Sequence, residues 1–208
     1  MSDDIAREAA FARAYRMTRA AIEKSAGSGK RLLVGELTKA TGLSPTPIRE
    51  ALSRLVGEGL VEEHRGGGYF AARLDVRDIV ERYAVARILA LGAIAERNSG
   101  LGLQRARRMA AAQEPLPAET SARIAYWFER LAIDSGSRLL AVEMQRLNGR
   151  MACLRRAEIA IVPGVTEWAG EIERLMGEAD GERRSRWVEC YCLAGQEYAG
   201  DLADWLSA

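Results

Sequence analysis

The sequence predicts a mainly α protein with one small β element in its first third, on three observations. Ile48, Ala51, Leu52, Leu55 and Val56 recur at i, i+3, i+4 and i+7 behind a proline-flanked start, which is the signature of a helix with one buried face. Two short β-type runs, LVEEH and YFAARL, are joined by RGGG, a turn that needs positive φ. From Val76 onward helical periodicity continues to the end. The change of period near Arg73–Asp75 divides the chain into residues 1–74 and 75–208.

The elements follow in order. Asp4–Ala26 places Ile5, Ala9, Ala12, Tyr15 (or Arg16), Arg19 and Ile22 at helical spacing and stops at SAGSGK. Leu32–Gly42 reads as a short helix with Leu33, Leu37 and Ala40 facing inward, closed by Gly42. Ser44 is an N-cap residue for the next helix, Pro45–Gly57, with Pro45 at the first helical position, where a missing N–H is harmless. The hairpin comes next, and then six helices: Val76–Asn98, Leu103–Gln113, Ala118–Ser135, Ser137–Ala160, Val165–Gly177 and Glu182–Ser207. Their breaks are NSGLG, EPLP, DSGS, VPG and ADG.

Composition excludes several classes. The apolar content of 48% supports a real core, and no run approaches the roughly 20 apolar residues of a membrane span. The acidic, amphipathic N-terminus lacks the pattern of a secretory signal. Three cysteines, Cys153, Cys190 and Cys192, do not make a disulfide framework and suit a cytoplasmic protein. Cys190 and Cys192 point about 200° apart on a helix, against an intrahelical bridge. With His64 as the one histidine, no G-x-S-x-G, no phosphate loop and no paired carboxylates at acid–base spacing, the chain does not read as an enzyme. Net charge is +1, made of +3 over residues 1–73 and −2 over the remainder, a mild bias toward a nucleic-acid-facing first part.

Three helices, the last two joined by a tight Gly-Leu-Ser turn, followed by a hairpin, describe a winged helix-turn-helix. On the third helix Thr46, Arg49 and Ser53 fall together opposite the apolar face. That division suits a DNA-reading helix, because one face locks the element down while the other offers a cation and hydroxyls to the major groove. The plainer alternative is a solvated surface helix. The glycine turn favours DNA, since its backbone can approach another surface closely, with His64 and Arg65 near the tip. For His64 a simple loop role stays open.

The run ELTKATGLSPTPIREALSRLVGEGLVEEHRGGGYFAA resembles the DNA-binding domain of GntR-family bacterial transcription regulators, in which TP-[VI]-REAL and EGLVE occur in this order. The following LDVRDIVERYAVARILALGAIAER and WFERLAIDSGSRLLAVEMQRL resemble the all-helical FCD effector domain of the FadR/VanR-type branch. The resemblance implies a homodimeric regulator, most often a repressor, that binds double-stranded DNA at a palindromic operator and answers to a small-molecule effector. It places DNA contacts at Thr46 and Arg49 and at the wing tip, His64, Arg65, Gly66 and Gly67. With Lys39, Ser44, Ser53 and Arg54 these make the candidate DNA-binding set. Two departures stand out. Pro45 replaces the arginine that precedes Thr-Pro in the family, and Val34–Gly35 replace a polar pair, so affinity is expected to lean on Lys30, Arg31, Arg49, Arg54 and Arg65.

Effector domains of this kind often hold a divalent cation with one Asp and three His. At the matching positions this chain has Ala125, Glu129, Glu167–Trp168 and Tyr191, so neither metal nor other cofactor is expected. Aromatic residues there either fill the core or line an apolar effector pocket. The candidate pocket set is Arg87, Trp127, Glu129, Arg150, Trp168 and Tyr191, with Arg87 or Arg150 able to pair with a carboxylate. A different class of function is a helical sensor or interaction protein whose DNA binding is weak and mainly non-specific, motivated by Pro45, Val34 and Gly35.

Overall fold

The computed structural model describes residues 2–99, 115–178 and 180–208, with the backbone alone over 2–9. It divides into two compact units, Met1–Leu74 with Leu206–Ala208, and Asp75–Trp205. The fold is mainly α with an N-terminal winged helix-turn-helix.

In the first unit, helix α1 (Ser2–Ile22) passes through a 3₁₀ turn, Glu23–Ser25, into strand β1 (Arg31–Leu32). Then come α2 (Val34–Thr41), α3 (Pro45–Gly57), β2 (Val61–Glu63) and β3 (Tyr69–Ala71). The core joins Ile22, Leu32, Leu37, Ile48, Leu52, Leu55, Val61 and Ala71, with Tyr15, Leu43 and Val56 packed on it. Ile48, Ala51, Leu52 and Leu55 are wholly excluded from solvent, which fixes the rotation of α3 about its axis. Each fully buried Leu or Ile contributes about 1.5–3 kcal/mol.

Four expectations need correction here. The β element is a three-stranded antiparallel sheet in the order β1-β3-β2, because Arg31 and Leu32 pair with Phe70 and Tyr69. Helix α2 accordingly starts at Val34, and Leu33 and Ala40 point to solvent while Leu37 alone of the expected three is buried. On α1 the buried positions among the described side chains are Ala14, Thr18 and Ile22, rather than the stripe through Ala12 and Arg19. Ser44 occupies the N-cap position without a side-chain capping bond. Pro47 removes the N3 N–H, one of the two groups that such a cap would serve, and with Pro45 at N1 leaves Thr46 as the one donor among these three residues.

The second unit is all helical in its described residues. Helix α4 (Val76–Asn98) opens with a reciprocal capping box between Asp75 and Asp78. It is followed by α5 (Thr120–Asp134), α6 (Arg138–Ile161), α7 (Val165–Gly177), α8 (Gly181–Glu197) and α9 (Ala199–Ser207). Helix α4 packs against α8, and α5 against α6. The expected helix Leu103–Gln113 lies outside the described residues. The expected single helix Glu182–Ser207 is two, divided at Tyr198, whose backbone (φ −87°, ψ 12°) leaves the helical basin.

Candidate DNA-reading surface and helical interior

The anchoring of α3 by its four buried residues leaves Thr46, Arg49 and Ser53 exposed together on the opposite face. Lys39 and Ser44 are also exposed, at the end of α2 and the start of α3. Arg54 behaves differently from the expected DNA contact. Its guanidinium lies 4.9 Å from the Tyr15 ring centre and 5.7 Å from that of Phe11. Its Nε donates to Glu58 Oε1 at 3.2 Å, and Glu58 Oε2 accepts from the Tyr15 hydroxyl at 2.5 Å. Arg54 thus ties α3 to α1, on a flank away from Arg49.

The wing closes through the His64 N–H to the Gly68 carbonyl at 3.2 Å and the Gly67 N–H to the His64 carbonyl at 2.8 Å. Gly67 and Gly68 take positive φ, 85° and 111°, whereas Gly66 does not. Arg65, Gly66 and Gly67 are exposed at the turn. His64 is held back from the tip: its ring stacks on Phe70 at 4.2 Å and its Nε2 lies 3.4 Å from Glu62 Oε2.

A model for "Bacterial regulatory proteins, gntR family" matches residues 12–70. Residues 12–70 are therefore a GntR-family DNA-binding domain. No curated protein matches the chain in sequence. Among solved structures, the chain is similar to a GntR regulator from Rhodococcus sp. RHA1, with a TM-score of 0.65 at 18% identity, over 92% of this chain and 97% of that one. It is also similar to E. coli McbR/YncC, with a TM-score of 0.58 at 17% identity, over 93% and 96% of the two chains. At these identities the likeness concerns fold alone. It extends beyond the GntR-family domain into the helical unit, where sequence similarity carries little.

In the helical unit the six candidate pocket residues are spread over α4, α5, α6, α7 and α8. A groove of about 340 Å³ between α7 and α8 is lined by Trp168, Glu171, Leu175, Arg183, Arg186, Trp187 and Cys190, so it takes only Trp168 of the six. Tyr191 is buried, with Trp187 stacked on it at 5.2 Å and Trp168 edge-on at 6.0 Å. Arg150 is exposed, Arg87 is half-buried, and the half-buried Trp127 meets Tyr126 edge to face at 4.9 Å.

What occupies the interior instead is a polar cluster that the sequence reading passes over. Glu158 of α6, 1% exposed, accepts hydrogen bonds from Tyr191 of α8 at 2.5 Å and from Tyr83 of α4. One turn earlier Arg155, also 1% exposed, lies over the Phe128 ring at 4.9 Å and donates from Nη2 to Asn148 Oδ1 at 2.6 Å. Asn148 Nδ2 donates in turn to the Ala125 carbonyl at 2.8 Å and to Glu129 Oε1 at 3.1 Å. Burial pushes the Glu158 carboxyl above its usual range, against the opposing pull of Arg155 and the two hydroxyls. The same burial, with Glu158 beside them, holds both phenols well above theirs, so they remain donors at neutral pH.

Residues at the expected metal positions are engaged with these partners. Glu129 is engaged by Asn148, the Tyr191 hydroxyl by Glu158, and Ala125 offers only a carbonyl already in use. Among the described residues no group of three His, Cys, Asp or Glu converges. The residues do not fit the divalent-cation site of similar effector domains. Protein purified without chelator is expected to carry less than stoichiometric zinc or nickel by elemental analysis, and an equimolar metal content would overturn this. The thiols give no substitute: burial raises Cys153 and pushes Cys192 up to about 12, while Cys190 is exposed on α8.

Proposed function

We propose that the chain is a sequence-specific transcription regulator of the FadR/VanR-type, FCD-containing branch, acting in the cytoplasm as a homodimeric, ligand-responsive repressor. The observation that carries the reading is the exposed Thr46–Arg49–Ser53 face set above four fully buried apolar residues of α3. Two such faces in a dimer would read half-sites about one helical turn of DNA apart, hence a palindromic operator. An effector held by residues 75–208 would shift the balance between dimer arrangements of different fit to DNA. Among the described residues no helix is long and apolar enough to cross a membrane.

The second reading, a helical sensor with weakened DNA binding, is favoured by one specific feature. Pro45 and Pro47 leave Thr46 as the one backbone donor among the first three helical residues, which thins the phosphate site at this helix end. Selection of bound DNA from a random pool tests both readings. The regulator reading expects a palindromic consensus. The sensor reading expects no sequence preference and binding that collapses as salt rises. Arg49→Ala is expected to weaken the selected site by about 1–3 kcal/mol, roughly 5- to 150-fold, and to relax preference at one position of each half-site. Unchanged affinity and preference would remove Arg49 from the reading face.

A further inference from the structure

We propose that the outer face of the wing sheet is a second DNA contact, in which Arg31 of β1 holds a backbone phosphate beside the wing tip. The inference rests on the DNA-binding reading above and gives Arg31, which the sequence names only as one of five cations on which affinity leans, a defined place and a phosphate partner. Register defines the face. Arg31 pairs with Phe70, and Phe70 with Glu62, so these three side chains project from one side of the sheet. Leu32, Val61 and Ala71 project from the other and are buried.

On the outer side, Phe70 carries the stacked His64 ring and forms a half-buried platform. The Arg31 guanidinium reaches along the sheet toward the tip. A Cβ built on Gly68 would stand 3.5 Å from its Nε and Nη2, and 3.6 Å from Phe70 Cε2. The Arg31 guanidinium therefore lies against the turn at Gly68. The near acidic group, Glu62, faces His64. Arg31 is exposed and has no hydrogen-bond or ion-pair partner among the described residues.

Arg65 is exposed too, at the turn, so two cations border the tip of the wing, while Lys30, also exposed, lies beside Ala71 further from the turn. An unpaired guanidinium with several fixed N–H donors beside a glycine turn suits a phosphodiester oxygen, which reads position and not sequence. It also supplies, from a different element, a cation to a chain that has proline where similar domains carry arginine before Thr-Pro.

The experiment measures affinity of the full-length chain for its selected DNA across a salt series, for wild type, Arg31→Gln and Arg31→Lys. Each phosphate contact contributes close to one counterion to the salt dependence. Arg31→Gln is expected to lower the slope of log K against log salt by about two for the proposed dimer, one per protomer, and to weaken selected and scrambled DNA by the same factor. Arg31→Lys is expected to keep the wild-type slope. An unchanged slope in Arg31→Gln would overturn the proposal, as would a loss confined to the selected sequence, which would mean base reading. Wild-type protein that binds no DNA would instead remove the parent reading, so the two failures are distinguishable.

Discussion

Glu158→Ala is expected to cost the helical unit about 3–5 kcal/mol in urea unfolding monitored by tryptophan fluorescence, the magnitude found when one member of a buried charged cluster is removed. The substitution strips the acceptor from two buried phenols, Tyr83 and Tyr191, and an unpaired buried polar group costs about 1–3 kcal/mol. It also removes the carboxylate that opposes Arg155, whose Nε and Nη1 are already without partners in the buried interior. Glu158→Gln separates charge from packing. The folded-state pKa of Glu158 is raised from its usual 4.5, so the contribution of this group is fully present below that value and is lost as pH rises through the folded pKa. Wild type is therefore expected to lose stability relative to Glu158→Gln as pH goes from 4 to 8. A difference that is flat with pH, or that moves the other way, would show that Arg155 and the hydroxyls outweigh burial. A loss under 1 kcal/mol for Glu158→Ala would show the cluster to be peripheral to stability.

The same cluster marks how far the sequence could be read. Helix α3 was legible because its apolar spacing, proline start and solvent face all agree within 13 residues, and the structure buries the four residues this pattern selects. The bounds of Val76–Asn98 and Val165–Gly177 were legible from glycine, proline and acidic breaks for the same local reason. Strand β1 was not, because Arg31 and Leu32 alone have no period; they become a strand only when β3 supplies the ladder from about forty positions away. The contacts of Arg54 with Tyr15 and Phe11 were not legible, because position on a helix says nothing of what α1 brings beside it.

Arg155 and Glu158 drew no expectation, since charged side chains are rarely fully buried. A signal was present nonetheless. Met144, Asn148 and Met151 define a buried stripe on α6, and continuing it by four and three residues lands on Arg155 and Glu158. What the sequence could not supply is the pair of tyrosines, from α4 and α8, that makes burial of Glu158 tolerable. Of the aromatic residues at the expected metal positions, Tyr191 is buried, while Trp168 is half-buried and lines the groove between α7 and α8.

Gly195→Ala is expected to destabilise the helical unit by about 3 kcal/mol, although glycine to alanine within a helix would ordinarily gain about 1 kcal/mol. Gly195 lies inside α8, where propensity alone argues for replacement. Its missing side chain is where the Tyr83 ring sits: an added Cβ would fall 2.7 Å from Tyr83 Cδ1 and closer still to Cε1 and Cζ. The ring cannot swing aside, because Tyr83 is wholly buried and its hydroxyl is fixed on Glu158. Either the ring moves and the hydroxyl leaves its acceptor, or α8 withdraws from α4, where Gln196 Nε2 also donates to the Val80 carbonyl at 3.0 Å. Both outcomes loosen the packing on which Glu158 depends. Adding Tyr83→Ala to Gly195→Ala empties the disputed space and should recover part of the loss, so that the double variant is more stable than the sum of the single effects predicts. Strict additivity, or a stabilised Gly195→Ala, would show that the close approach of Tyr83 to α8 is not what holds these helices together.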